Sequence, residues 1–280
     1  MRALPLVQAP TYNRLVDTPR HYTRHPSQFT DRRPTRADLE RYRDAGFGRD
    51  DLMGAAAFGM ATRLMIFGIN PGLWSAAVNA PFAYPGNRFW PSLFQAGITE
   101  YLIDASAGMS DEDEHYLATR GVTLTNLVNR ATAKASELSR GELHLGAAKA
   151  LTLARLHSPH TVVIVGITAF RDAFGMTKAT LGEQDLDAVS TALRAVSFPA
   201  DALPNETIIP VDPEIVTNES SRDWPTRVRL WVVPQPSGLN AHETVSSLAE
   251  KWREVHESSY SLDDSRNSWE HIPQLWRYGH

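Results

Sequence analysis

RLMIFGINPGLWSAAVNAPFAYPGNRFW, residues 63–90, opens as one kind of chain and continues as another. Residues 63–69 (RLMIFGI) are a compact apolar run closed by Gly and Asn, which predicts a strand with both faces buried. From Gly68 to Trp90 the chain is dense in Gly, Pro, Asn and aromatics and holds no Asp, Glu, His, Lys or Cys; Arg88 is its one formal charge. Three more runs share the character of the first: GVTLTNLV (121–128), TVVIVGI (161–167) and VRLWVVP (228–234).

Helix signals fall between these runs. Asn87 is placed to cap RFWPSLFQAG, with Pro91 in the first turn, where a missing N–H is tolerated. Ser110 precedes four acids that suit a helix N-terminus. Ser139 and Glu142 form a capping box for a helix reaching about His157 and stopped by Pro159, and Asn240 with Glu243 predicts the same for AHETVSSLAEKWREVHE. Upstream, PTRADLERYRDAGFG predicts a short helix, with Thr35 as cap, Asp38 at the capping-box position and Gly46 as stop. Strands alternating with helices predict an α/β domain with a mostly parallel sheet. Residues 182–226 break the rhythm and read as an insertion on the sheet periphery, with a helix over 186–196. Residues 1–34 read as an irregular arm, and the tail from Ser258 is polar.

Composition sets the bounds. A chain of 280 residues, 42% hydrophobic and 21% charged, is long enough for one sizeable core. No stretch approaches the ~20 apolar residues that span a bilayer, and the N-terminal residues lack a signal-peptide core, so a cytoplasmic location and no membrane partner are expected. The absence of cysteine excludes disulfides, thiolate catalysis, zinc–thiolate sites and Cys-ligated iron–sulfur clusters. His21 and His25 stand four apart without a carboxylate partner, and His271 and His280 show no ligand spacing, so no metal site is read. Neither G-x-S-x-G nor a phosphate-binding P-loop occurs. The net charge of −4 does not argue for nucleic acid; nor does it exclude it, since binding depends on a local basic face.

In open parallel sheets ligands bind beyond the carboxyl ends of the strands. Two Pro/Gly-rich loops are expected there, 68–90 and PQPSGLN (234–240), each leading into a helix, as facing walls of one cleft. Asn70, Gly72, Phe82 and Tyr84 offer an amide, open backbone and flat apolar faces. That set suits a planar, polar, uncharged ring.

GINPG, PFAYPGNRFW and PSGL, with GVTLTNLVNRAT, SELSRGELHLG and VVIVGITAF between them in order, resemble the mismatch-specific uracil/thymine-DNA glycosylase family of the uracil-DNA glycosylase superfamily. The similarity runs from about Thr62 to Glu257, insertion aside. It implies a three-layer α/β/α fold with a central, mostly parallel sheet. The implied layout is an arm with a short helix over 1–54, a glycosylase domain over 55–258 and a tail over 259–280. The implied activity is hydrolysis of the N-glycosidic bond of uracil, thymine or an etheno adduct paired with guanine in duplex DNA, without metal or organic cofactor, by a monomer.

Residue by residue, Asn70 aligns with the group that positions the attacking water. Phe82 aligns with the ring that stacks on the flipped base, and backbone of Ile69, Gly72 and Phe82 would read its edge. Ser75 lies near the base C5. Leu239 aligns with the apolar wedge that fills the vacated stack, and Ser237, Gly238 and Asn240 flank it, the last two toward the widowed guanine. Arg88 is open to two readings, phosphate contact or support of the loop. Arg130 is read as a DNA-backbone contact or a solvated charge. The chain departs from the family pattern at Trp74, Asn129, Ala131, Gln235 and Ala241, which bears on damage preference and DNA affinity more than on reaction type. Two other functions stay open: a non-catalytic DNA-binding module of the same fold, and a hydrolase of free nucleosides or nucleotides.

Overall fold

The apolar runs become the centre of a single sheet. The computed structural model describes residues 27–43, 53–198 and 211–260. Six strands, β1 (Met53–Gly54), β2 (Leu64–Gly68), β3 (Val122–Asn126), β4 (Thr161–Val165), β5 (Gly182–Glu183) and β6 (Arg229–Val233), lie in the order β1-β3-β2-β4-β6-β5. The four long strands are parallel to their neighbours, and the two-residue strands add antiparallel edges to β3 and β6.

Nine α-helices complete the described chain: α1 (Arg36–Glu40), α2 (Leu73–Val78), α3 (Phe89–Ala96), α4 (Asp111–Thr119), α5 (Arg140–His157), α6 (Ile167–Phe174), α7 (Leu186–Ala195), α8 (Pro213–Thr217) and α9 (Val245–Tyr260). They cover both faces of the sheet. Alternate strand side chains go to opposite faces, and the core divides accordingly. Met65, Phe67, Val162, Ile164, Leu230 and Val232 pack under α5, α6, α7 and α8. Leu64, Ile66, Val122, Leu124, Val163, Val165, Trp231 and Val233 pack under α3, α4 and α9. This is the expected three-layer α/β/α architecture. Fully burying a side chain such as Phe67 or Ile66 contributes roughly 1.5–3 kcal/mol, and covered faces explain why these strands read as unbroken apolar runs.

The caps follow the sequence in most places. Thr35 with Asp38 and Ser139 with Glu142 form capping boxes, and Ser110 accepts from the N–H of Asp113. The expected stop at Gly46 lies outside the described residues. Two caps differ. Helix α3 begins one residue later than read, and Asn87 serves it by accepting from the N–H of Phe89 at 2.9 Å. Helix α9 begins at Val245, with Thr244 and Ser247 exchanging the terminal hydrogen bonds, so Asn240 is not its cap. The reason is tertiary: Arg88 binds the carbonyls of Asn240 and Glu243, which holds residues 240–243 in a loop.

Residues 182–198 and 211–226 sit at the β6 edge, as expected of a peripheral insertion, yet they also supply core. Val189, Leu193, Ile215 and Trp224 are buried in the α5/α6 layer. Among the described helices none is long and apolar enough to cross a membrane.

Two partly buried histidines predict a pH dependence of the fold. His157 ends α5, and burial holds it below its ordinary value. His256 on α9 lies beside Arg63 and Arg120, at the sheet edge where β2 and β3 begin; burial lowers it first, then the two guanidiniums. Both therefore bind protons less readily when folded than unfolded. Below about pH 6.5 the unfolded chain takes up more protons, so stability is lost as pH falls through the unfolded value toward the folded ones. A melting temperature lower by a few degrees at pH 5.5 than at pH 7.5 is expected. The difference should shrink in the variant carrying His157→Gln and His256→Gln.

Candidate active site

The four parallel strands end together at Gly68, Asn126, Val165 and Val233, and the chain leaving each builds the site. The segments after β2 and β3 stay joined: Gly68 and Ile69 carbonyls accept from Leu127 and Val128, and the Pro71 carbonyl accepts from Thr132. Asn70 lies inside this seam. Its Nδ2 donates to the Arg130 carbonyl at 2.8 Å and to Thr132 Oγ1 at 2.7 Å. The partners fix the orientation of the carboxamide. A carbonyl can only accept, and the Thr132 hydroxyl gives its own hydrogen to the Lys134 carbonyl at 2.9 Å, so both must face the NH2 group. Among the described residues nothing donates to Oδ1, which leaves it an acceptor without a protein donor.

Phe82 adopts φ of +52°, a left-handed conformation uncommon for a bulky residue and held only where neighbours over-determine it. Here three contacts do so. Ser75 Oγ accepts from the N–H of Ala83, Trp90 Nε1 donates to the Pro81 carbonyl, and one face of the Phe82 ring lies on Phe89 with centroids 3.8 Å apart. The ring tip reaches the end of β2: a Cβ placed on Gly68 would stand 3.3 Å from Phe82 Cζ and 2.4 Å from Asn126 Oδ1.

Asn126 is the residue that sequence reasoning missed. It ends β3 opposite Gly68, is only 7% exposed, and its side chain makes no hydrogen bond to any described residue. Neither amide atom of Asn126 is sealed from solvent, so beside the Phe82 ring the side chain offers one donor group and one acceptor to a polar ligand. The signal was present in TLTNL: a polar side chain closing an otherwise buried strand, in register with the glycine of GINPG.

The remaining predicted pocket residues divide. Ile69 lies beside Gly166, the residue that follows β4, whose φ of +112° admits no ordinary side chain; a Cβ there would be 3.3 Å from Ile69 Cδ1 and 3.2 Å from Gln235 Oε1. Gly72 opens α2 with nothing within 4 Å of a Cβ position, so the space beside it is free. Ser75 is buried and its hydroxyl is engaged with Ala83, so it shapes the loop behind Phe82. Trp74 donates to the Ser106 carbonyl and meets the exposed Tyr84 edge to face.

The second loop is a self-bonded turn. Asn240 N–H donates to the Ser237 carbonyl, Leu239 N–H to Ser237 Oγ, and Asn240 Nδ2 to the Gln235 carbonyl. On its tip Leu239 is 96% exposed. Arg88 ties this turn to the first loop. Its N–H donates to the Pro236 carbonyl, Nη1 reaches the carbonyls of Ser237, Asn240 and Glu243, and Nη2 that of Gly238. Gly238 lies against Gly86, where a Cβ would meet the Gly86 carbonyl at 2.5 Å. Of the two readings of Arg88, the geometry favours loop support, because its Nη1 and Nη2 are taken up by four carbonyls of the second loop and the stretch after it. Arg130 is likewise engaged: its guanidinium clasps Glu142 at 2.7 and 3.0 Å, which holds the Glu142 carboxyl down to about 2, and it donates to the Glu137 carbonyl. This clasp is the role that the described contacts give Arg130, and a contact with the DNA backbone stays an expectation beside it.

Arg88 thus joins the two loops at the carboxyl end of the sheet, and the side chains gathered on the first of them and on β3, Asn70, Phe82 and Asn126, are uncharged. Such a site has no nucleophile and no strong acid. Chemically it can stack a flat ring, read a polar edge with an amide, and hold a solvent molecule on Oδ1 of Asn70. Among the described residues no group of His, Asp or Glu could hold a metal ion. The family model of the Uracil DNA glycosylase superfamily matches residues 57–256, more than half of the sequence, and the chain belongs to that superfamily. Membership points to a DNA glycosylase, a hydrolase acting on uracil.

Proposed function

We propose that this glycosylase removes uracil paired with guanine from duplex DNA, by everting the nucleotide into the crevice and directing water at its deoxyribose. The observation that supports this most is the fixed carboxamide of Asn70, with its NH2 group committed to the Arg130 carbonyl and Thr132 Oγ1 and its Oδ1 without a donor among the described residues. A water donating to Oδ1 presents its oxygen lone pair to C1′. The N1–C1′ bond breaks with its electron pair passing to the base, the water oxygen bonds C1′, and its proton leaves to solvent. Positive charge grows on the sugar and negative charge on the base oxygens, so donors aimed at the base are the stabilisers this reaction needs. Asn126 can donate to one ring carbonyl of uracil and accept from its N3–H. Phe82 supplies the apolar wall, and stacking of a base on an aromatic is worth roughly 1–3 kcal/mol.

A base must leave the stack before it can be cut, at a cost lower for a mispair. Leu239 on its rigid turn fills the gap left behind. The carbonyls of Gly238 and Asn240 keep a second lone pair beyond the bond to Arg88, so guanine donors can reach them there. The arm, glycosylase domain and tail over 1–54, 55–258 and 259–280 are proposed as the working layout.

The test is a base-release panel: uracil, thymine and ethenocytosine opposite guanine, uracil opposite adenine, and uracil in single-stranded DNA. G·U duplex is expected to react fastest. Binding without release from any substrate would favour the non-catalytic module. In the same panel Leu239→Ala should lower release from duplex roughly 10- to 150-fold, the equivalent of the 1.5–3 kcal/mol of apolar contact it forfeits, and leave single-stranded DNA unaffected. Equal loss on both would sink the wedge role. Turnover of free nucleosides untouched by the substitution would favour the nucleoside hydrolase.

A further inference from the structure

We propose that one face of α5, formed by Glu142, Gly146 and Lys149, is a brace that aims Asn70, and that Lys149 is its key positioning residue. This rests on the reading of Asn70 as the group that holds the attacking water. Positions i, i+4 and i+7 share a helix face, and each of these three grips a successive part of the segment leaving β3. Gly146 lets the backbone of Leu127 lie on the helix: a Cβ there would stand 2.8 Å from Leu127 Cβ, 2.9 Å from its carbonyl oxygen and 3.1 Å from its carbonyl carbon. Lys149 Nζ donates to Asn129 Oδ1 at 2.8 Å. Glu142 takes both arms of Arg130. The residues so held are the ones that orient the carboxamide, through the Arg130 carbonyl and Thr132 Oγ1.

Lys149 is the telling member. It is 4% exposed, in the middle of a helix face otherwise rich in Ala and Leu. An ammonium removed from water is costly, and an apolar side chain would pack there with less loss. Its bond to Asn129 fixes the stretch between two anchored points, the N–H of Val128 on the Ile69 carbonyl and the N–H of Thr132 on the Pro71 carbonyl. Arg130 lies in that stretch. If it drifts, the carbonyl that sets Asn70 drifts with it.

The experiment is Lys149→Met in the full chain, read in two ways. Single-turnover release from G·U duplex should fall roughly 10- to 100-fold, the scale of a misplacement of about 1 Å, with duplex affinity unchanged. In an Asn70→Ala background the same substitution should cause no further loss, since coupled groups are non-additive. Asn129→Leu should reproduce the loss, and Asn129→Asp, which keeps the acceptor, should retain the rate. If Lys149→Met does not fold, Asn129→Leu carries the test. The second readout needs no activity: the side-chain NH2 resonances of Asn70 should be protected in the wild type, shifted in Lys149→Met and restored in Asn129→Asp. Unmoved resonances, an unchanged rate in an active enzyme, or a loss that multiplies with that of Asn70→Ala would overturn the brace. Should the wild type release no base, the proposed function fails, and the resonances alone decide the brace.

Discussion

Asn70→Ala is expected to lower the single-turnover rate of base release by about 10³-fold, close to 4 kcal/mol of barrier, while duplex affinity changes less than about threefold. The asymmetry follows from what the side chain touches. Its NH2 group is taken up by the Arg130 carbonyl and Thr132 Oγ1, and its Oδ1 accepts from no described residue, so its proposed part is to hold water and not to grip the duplex. Truncation leaves two acceptors to be hydrated in a half-open site, a modest loss of stability, and the seam of backbone bonds through Gly68, Ile69 and Pro71 remains. Only the acceptor for the reacting water disappears. A carboxamide is a weak base and offers position more than proton affinity, so the wild-type rate should also vary little with pH between about 5 and 8. A variant that releases uracil at the wild-type rate would remove Asn70 from the reaction altogether.

The long strands were legible because burial on both faces writes continuous apolar runs, and TVVIVGI and VRLWVVP could form little else. The two-residue strands β1 and β5 were not, since they are too short to show a period of two and exist only through their pairing with β3 and β6. Of the site, the residues of the first loop could be read from the sequence, and so could the exposed leucine. What the sequence hid were roles set by distant partners. Arg88 looked equally fit for a phosphate until the carbonyls of the second loop enclosed it, and the same contacts delayed the start of α9 past its apparent cap. Asn126 carries no local signal beyond a polar side chain at a strand end; its place beside Gly68 and the Phe82 ring comes from the pairing of β3 with β2. The fold was written in local pattern, the site in contacts between segments more than fifty residues apart.

Gly68→Ala should prove the most informative substitution in the pocket, with base release reduced by about 10²-fold and the melting temperature little changed. Gly68 has an ordinary negative φ and is not among the glycines in the left-handed region, so alanine suffers no backbone strain there. Its methyl group would instead meet Asn126 Oδ1 at 2.4 Å and Phe82 Cζ at 3.3 Å. Phe82 is pinned against Phe89 and cannot retreat far. Asn126 is unbonded to the described protein and ends in a flexible amide, so it is the group that swings. A displaced amide cannot pair with the base edge, and leaving polar groups unpaired in an enclosed site costs about 1–3 kcal/mol, up to roughly 10²-fold. The loss should appear in capture of the everted base, so that affinity for duplex bearing an abasic site is retained while affinity for uracil-bearing duplex falls. It should also be matched by Asn126→Ala, with little further loss when the two are combined. If Gly68→Ala bound and cut uracil as the wild type does, the base would have to lie elsewhere than beside Phe82 and Asn126, and the crevice would need another occupant.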